Sequence, residues 1–351
     1  MFPETFAEEW LSRLTRPGDL VLDPFCGRGT LPFQALLMDR RAIGCDTNPV
    51  AYCVSRAKTN APARGRLLNR IEKLKAGYRA SSVKADAARL PTFFHHAYHA
   101  ETLRQIVYLR ANLQHRTSVV DGMLAALILG SLHGEADRSN RFLSNQMPHT
   151  ISTKPDYSVR FWKARRLRAP ERNAFELLKQ QLVYRYEGEV PSERGKILNI
   201  DMRELPKFIG GRSEAIRCVV TSPPYFDVTN YAEDQWLRLW FLGGPTEPRK
   251  QAFSRDDRHG RLDQYWALLA DMWRTLSMVL DDNADVVIRL GATRIGPERL
   301  VSGLEGVAKV ANRRVRLVEQ RVSALVRRQT DSFRPGSTGC KVEVDCHFRM
   351  S

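Results

Sequence analysis

Two short apolar runs, Val21-Leu22 and Cys218-Val219-Val220, are each followed at once by residues that break regular structure. Runs of this kind, closed by turn signals, predict strands buried on both faces. Behind the first comes Asp23-Pro24-Phe25-Cys26-Gly27-Arg28-Gly29-Thr30, then an apolar-periodic stretch from Leu31 to Met38 that predicts a helix, then Ala42-Ile43-Gly44-Cys45 ending at Asp46. Strand, glycine turn, helix and strand make a βαβ opening. From about Thr92 to Tyr186 the pattern turns helical and basic, with Leu103 to Leu109 and Met123 to Leu129 apolar at helical spacing. Strands resume at Lys196 to Ile200 and Ile216 to Thr221. Helices are expected over Tyr231 to Leu242 and Leu262 to Leu280, followed by a buried strand from Ala284 to Leu290. Val315 to Val326 and Val342 to Phe348 alternate as an antiparallel pair would, joined by the loop Arg327 to Gly339 with its Pro335-Gly336 turn. No internal repeat or low-complexity segment interrupts this order.

Composition narrows the class. The 351 residues are 43% apolar, enough for one large α/β domain with an insertion or for two modest domains. A formal net charge of +16 favours a polyanionic partner, with nucleic acid the natural one. An anionic membrane would attract the same surface, but no apolar run approaches about eighteen residues and the N-terminus lacks a secretory apolar region, so a cytoplasmic protein without a membrane partner is expected. The six cysteines include no Cys-x-x-Cys pair, which points to reduced thiols and to neither a zinc site nor a disulfide framework.

The candidate chemistry sits at the ends of the two apolar runs. In Thr221-Ser222-Pro223-Pro224-Tyr225 the prolines fix φ and remove two backbone donors, leaving rigid carbonyls free to accept. With a hydroxyl before them and an aromatic face after them, they suit a flat base held by an exocyclic amine; an ordinary turn is the alternative. Upstream, Gly27 and Gly29 permit close backbone approach, and Asp46 falls about twenty positions beyond the turn, where an acid grips a ribose diol in nucleoside-binding sheets. Thr30 is followed by Leu31-Pro32, so the third glycine of a dinucleotide fingerprint is missing and a pyrophosphate cofactor is disfavoured.

With both stretches in view, the chain resembles the amino-methylating DNA methyltransferases, which move a methyl group from S-adenosyl-L-methionine to cytosine N4 or adenine N6. The resemblance implies a Rossmann-like seven-stranded α/β sheet with a helical insertion: residues 1–90 as the cofactor-binding half, 91–195 as the insertion that reads DNA, and 196–351 as the catalytic half. It implies that Asp23, Phe25, Gly27, Gly29 and Thr30 line the methionine end of the cofactor, that Asp46 holds the ribose hydroxyls, and that Asn48 and Pro49 lie beside the adenine. An acid on the next strand meets the adenine amine; Asp201 is chosen, although Lys84 to Pro91 offers Asp86 in nearly the same Asp-x-x-x-Leu-Pro pattern. Phe2 to Phe6 stands where the family places a segment that closes over the methionine, and is equally a plain helix start. Ser222, Pro223, Pro224 and Tyr225 form the catalytic set. Ser in the first position leans toward cytosine N4 over adenine N6. Carbon-5 methylation needs a thiolate directly after a proline, and no cysteine here follows one.

Double-stranded DNA is the implied partner, with a cognate restriction endonuclease in a restriction-modification or defence setting. Arg160, Lys163, Arg165, Arg166 and Arg168, interleaved with Tyr157, Phe161 and Trp162, are the DNA-facing candidates, or else a solvated face over a buried Trp162. Arg327, Arg328 and Arg334 divide the same way. His95 and His99 have the spacing of a metal pair but no adjacent third ligand, so no metal is expected. Trp236, Trp240 and Phe241 fit a helix packing its apolar face, with the base pocket a second use. An RNA base methyltransferase and a non-catalytic DNA-binding module with a relic cofactor fold are the remaining alternatives.

Overall fold

The computed structural model describes residues 2–134, 141–144, 155–209, 215–226, 235–248, 261–292, 294–324, 340 and 342–351. The expected loop Arg327 to Gly339, with Arg327, Arg328 and Arg334, and the first turn of the helix expected from Tyr231 lie outside the described residues.

In chain order the elements are α1 (Glu4–Leu14), β1 (Leu20–Asp23), α2 (Thr30–Leu37), β2 (Arg41–Cys45), α3 (Pro49–Thr59), α4 (Arg64–Gly77), α5 (Lys84–Ala88), α6 (Thr92–Ala97), α7 (Ala100–Asn112), α8 (Val119–Leu129), α9 (Pro155–Ala164) and α10 (Ala174–Arg185). There follow β3 (Lys196–Leu198), α11 (Leu205–Phe208), β4 (Ile216–Thr221), α12 (Trp236–Phe241), α13 (Leu262–Val279), β5 (Leu280–Gly291), α14 (Pro297–Ala308), β6 (Val315–Ala324) and β7 (Val342–Met350). They form two compact units. One comprises Met1–Asn60, Pro191–Asn230 and Ala252–Ser351; the other comprises Ala61–Val190 and Tyr231–Gln251. The expected boundary at residue 91 falls inside the second unit, which also takes in a segment of the expected catalytic half.

The first unit holds the expected seven-stranded α/β sheet, in the order β3-β2-β1-β4-β5-β7-β6. β1 to β5 pair in parallel, and β7 runs antiparallel to both β5 and β6. Because side chains alternate across a strand, β1 and β4 each supply two cores. Leu20, Leu22 and Val219 face α13 and α14, with Trp273 against Phe348 at 5.1 Å. Val21, Cys218 and Val220 face α1 and α2 through Trp10, Leu11, Leu31 and Ala35. Burial on both sides is why these strands read as unbroken apolar runs.

β7 behaves differently. Its apolar positions Val344, Cys346 and Phe348 join the core with α13 and α14, while Glu343, Asp345 and His347 fill the alternate positions and are buried as well. α1 covers that charged face: Trp10 lies 5.5 Å from the His347 ring and Phe6 lies 3.7 Å from the Arg289 guanidinium.

At the neck where the chain leaves and re-enters this unit, the Gly195 amide donates to the Thr59 carbonyl at 3.2 Å and the Asn60 side chain donates to the Gly195 carbonyl at 2.9 Å. A Cβ on Gly195 would fall 2.9 Å from Thr59 Cβ, so glycine allows the two strands of chain to close.

The second unit is helical and built around aromatic contacts. Phe93 touches Trp162 at 5.5 Å and Trp236 at 5.0 Å, and Phe94 touches Trp240 at 4.5 Å. Trp236, Trp240 and Phe241 are buried here, as an apolar helix face requires. His95 Nε2 meets the Leu90 carbonyl at 3.0 Å and His99 caps α7 through the Glu101 amide. Asp121 is buried and clamped by Arg70 at 2.7 and 3.1 Å.

Candidate active site

The strand order reverses direction between β1 and β4: the chain steps outward from β1 to β2 and β3 on one side, and from β4 to β5 on the other. In open α/β sheets such a switch point opens a crevice beyond the carboxyl ends of the strands, where ligands bind. The glycine turn leaves β1 there, and the Ser222-Pro223-Pro224-Tyr225 corner leaves β4 beside it. The Thr221 hydroxyl donates to Asp23 Oδ1 at 2.7 Å, tying the two corners together in one sheet.

Asp23 is 1% exposed and also accepts from the Phe25 amide at 3.1 Å. Burial raises its carboxyl to about 7, against the opposing pull of the Thr221 and Phe25 hydrogen bonds, with the nearby Asp46 charge adding to the rise. The turn itself is left-handed at Gly27 (φ 50°) and Gly29 (φ 73°), and a Cβ on Gly29 would fall 2.8 Å from Ser55 Oγ. Ser55 in turn donates to the Gly27 carbonyl at 2.7 Å. Thr30 begins α2 directly after this turn, and Phe25 packs half-buried against the core.

β2 delivers Asp46, whose carboxylate accepts from the Gly27 amide at 2.9 Å and the Asn48 amide at 2.8 Å. Asn48 caps α3 through the Val50 amide at 2.9 Å. β3, the neighbour of β2, ends just before Asn199, whose side chain donates to the Asp46 and Thr47 carbonyls at 2.8 and 3.1 Å. Asp201 follows on the same loop, held by the Arg203 amide at 2.9 Å and guanidinium at 2.6 Å. The rival Asp86 sits on the five-residue α5, in the helical unit. Asp23, Asp46 and Asp201 therefore stand at the carboxyl ends of three strands that are neighbours in the sheet.

Among the described residues, the enclosed Ser222 hydroxyl has no hydrogen-bond partner. It lies close enough to the Tyr225 phenol to favour ionisation there, yet makes no bond of acceptable geometry with it. Tyr225 is wedged: its phenol donates to Glu343 Oε1 at 2.7 Å, and a Cβ on Gly291 would fall 2.7 Å from ring atom Cε2. Burial, and then the Glu343 charge, push the phenol well above its ordinary range, so Tyr225 is a neutral donor. Glu343 in turn lies 3.3 Å from Arg289, which is clamped by both oxygens of Asp345 at 2.6 and 2.8 Å.

Glu343, Arg289, Asp345, Gly291, Ser55 and Asn199 carry no sequence motif of their own. For Glu343 and Asp345, the sole signal is the alternation of charges in Glu343-Val344-Asp345-Cys346-His347. All six cysteines are buried and none forms a disulfide, and burial raises the thiols of Cys26, Cys53, Cys218 and Cys346. A thiolate nucleophile has no place in this arrangement.

The donor set tests the cofactor. Carboxylates offer acceptors only, each with about four lone-pair sites, so a row of them suits hydroxyl, amine and sulfonium groups and repels a phosphate. S-adenosylmethionine offers all three and carries no phosphate, whereas a dinucleotide shares the hydroxyls and the amine but brings a pyrophosphate. No helix among the described residues is long and apolar enough to cross a membrane.

The five basic candidates of the helical unit, Arg160, Lys163, Arg165, Arg166 and Arg168, are all exposed on or just after α9, and Arg165 stacks on Phe161 at 3.8 Å. Trp162 beneath them is fully buried.

Residues 1–55 match the model of a family described as DNA methylase, a span that contains the glycine turn, Asp46 and Asn48. No curated protein matches the chain. Among solved structures, TrmN from Thermus thermophilus aligns over 100% of this chain and 49% of its own at 10% identity, with a TM-score of 0.37. This chain thus spans about half the length of that protein. The rRNA methyltransferase aviRa from Streptomyces viridochromogenes aligns over 99% of this chain and 85% of its own at 15% identity, with a TM-score of 0.34. The chain therefore joins an amino-terminal segment that matches the DNA methylases to a seven-stranded α/β sheet.

Proposed function

We propose that this protein methylates the exocyclic N4 amine of cytosine in double-stranded DNA, using S-adenosylmethionine. The observation that carries the reading is the Thr221–Asp23 hydrogen bond, which sets an acceptor-lined turn beside a Ser222 hydroxyl that is enclosed and unpartnered among the described residues, at the sheet's switch point. Asp46 would hold the ribose diol, Asp201 the adenine amine, and Asp23, Phe25, Gly27, Gly29 and Thr30 the methionine end, with Asn48 fixing the start of α3. When bound, the cofactor supplies an activated methyl group on a cationic sulfur, and the ionised form of Asp23 is the one that cation favours.

The protein's own residues handle the base. A cytosine amine is a weak nucleophile because its lone pair is delocalised into the ring. Acceptors that hold its N–H bonds return electron density to nitrogen, and Ser222 Oγ with the Pro223 carbonyl supply them. Rotating the base out of the duplex costs a few kcal/mol, which stacking and the new hydrogen bonds offset. Tyr225, fixed by Glu343 and Gly291, offers the aromatic surface of the corner. Arg160, Lys163, Arg165, Arg166 and Arg168 are assigned to backbone phosphates, which position a duplex without reading sequence. A restriction-modification or defence setting, with an endonuclease partner, accords with this reading.

The decisive assay incubates the protein with unmodified duplex DNA and S-adenosylmethionine, digests to nucleosides and identifies the product by mass spectrometry. N4-methylcytosine is the expected product. N6-methyladenine would move the assignment to the other amine, and a methylated nucleoside from RNA alone would overturn the DNA substrate. Calorimetric titration with the cofactor excludes a relic fold if heat of binding is seen.

A further inference from the structure

At the end of the sheet away from the candidate active site, a cleft of about 930 Å³ opens where the parallel strands begin. Arg16, Arg217, Arg316, Arg349, His347 and Asp285 are among its lining residues, all within the sheet unit. Arg217 stands near one end of β4 and Thr221 at the other, so roughly 13 Å of strand separates the cleft from the catalytic corner.

We propose that this cleft binds a phosphoryl group. Its positive charge is only partly neutralised. Arg13 pairs with Glu319 at 2.7 Å, Arg217 with Asp281 at 3.6 Å, and Arg349 with Asp285. Arg16 and Arg316 are exposed and make no ion pair among the described residues. Arg316 stands directly opposite Arg349 in the β6–β7 ladder. Like charges so placed repel, and an anion between them relieves the repulsion. The acidic groups of the cleft are already engaged: Asp19 accepts from the Arg16 amide at 2.8 Å, and Asp285 from His347 Nε2 at 2.7 Å as well as from Arg349.

A second observation comes from His347. It is 6% exposed and lines the cleft, where a bound anion would alter the field at its ring. The planar guanidinium groups match phosphoryl geometry two bonds at a time. The cleft exceeds a single phosphate in size, which fits either a free polyphosphate or the phosphodiester backbone of a nucleic acid.

The test is calorimetric titration of the full-length protein with inorganic pyrophosphate, in parallel with R16A/R316A and with R64A/R66A, a control that removes two exposed arginines from α4 in the helical unit. Wild type and control should bind alike, and R16A/R316A should bind about tenfold or more weakly, the order expected for losing two charge-assisted contacts. Imidazole nitrogen resonances of labelled wild-type protein should show His347 shifting as pyrophosphate saturates. Repeating the titration with a short duplex separates the sources. A variant that loses duplex and pyrophosphate together points to backbone phosphate; one that loses pyrophosphate alone points to a free polyphosphate, and either supports the site. Absence of binding by wild type, equal losses in R64A/R66A, or a His347 resonance that does not move would each overturn it.

Discussion

At the carboxyl ends of the parallel strands Asp23, Asp46 and Asp201 present acceptors, whereas at the other end Arg16, Arg217, Arg316 and Arg349 present donors. The contrast runs against a common pattern. Helix N-termini such as those of α2 and α3 lie at the carboxyl ends of the strands and ordinarily attract phosphates. Here Asp46 takes up the Gly27 and Asn48 amides, so a carboxylate of the chain occupies the place an anion would seek. On the proposed reading, one end of the fold takes hydroxyls, amines and a cation and the other takes an anion. Four measurements would break or sharpen that contrast.

The largest effect is expected from the proton on Asp23. Its carboxyl is raised to about 7, above the ~3.9 of an unfolded aspartate, so the native state holds the proton more tightly than the unfolded chain. Stability must then fall as pH rises from about 4 to 7 and level off above that. Thr221 and Phe25 both donate to Oδ1, so Asp23→Asn retains both bonds and removes the buried charge. The variant should match wild type near pH 4 and exceed it at pH 8 by on the order of 4 kcal/mol in urea unfolding. It should also bind the cationic cofactor more weakly. A stability difference that ignores pH would return Asp23 to an ordinary acid.

Next comes Ser222→Ala, which should lower kcat by about a hundredfold to a thousandfold while leaving the cofactor Kd unchanged, the magnitude seen when one positioned hydrogen-bonding group is lost. Product quantitation and calorimetry on the same preparation separate the two quantities. Unaltered turnover would remove Ser222 from the mechanism. Asp46→Ala should raise the cofactor Kd by roughly tenfold to a hundredfold, as loss of a hydrogen bond to a charged group does. Calorimetry measures it, and an unchanged Kd would take Asp46 out of the binding site. The smallest effect is expected from Glu343→Gln, which keeps an acceptor for Tyr225 and removes one of the two carboxylates beside Arg289. A loss of about 1–2 kcal/mol in chemical denaturation follows. No loss at all would mean that Asp345 alone satisfies Arg289.

Much of the sheet was legible because the central runs of β1 and β4, Val21-Leu22 and Cys218-Val219-Val220, are buried on both faces and therefore apolar, and because the glycine turn and the diproline corner are local features. The choice between Asp201 and Asp86 was not settled locally. Their surroundings are nearly identical in sequence; the pairing of β3 with β2 puts Asp201 just beyond a strand end, while Asp86 lies on α5. β7 misleads in a different way. Alternating charged and apolar residues ordinarily mark one solvated face, yet Glu343, Asp345 and His347 are buried because Arg289, Asp285 and α1 meet them. Those partners lie far away in sequence, and no window along the chain contains both sides of the contact. The helical unit was harder still to delimit, since it begins at Ala61 and gathers Tyr231–Gln251 from beyond β4.

The closed neck at Thr59, Asn60 and Gly195 carries one last consequence. Because the excursion from Ala61 to Val190 departs and returns at points already bonded to each other, its length imposes no tension on the strands that frame the pocket. The 61–190 excursion can therefore lengthen or shorten without parting the chain ends at Thr59 and Gly195.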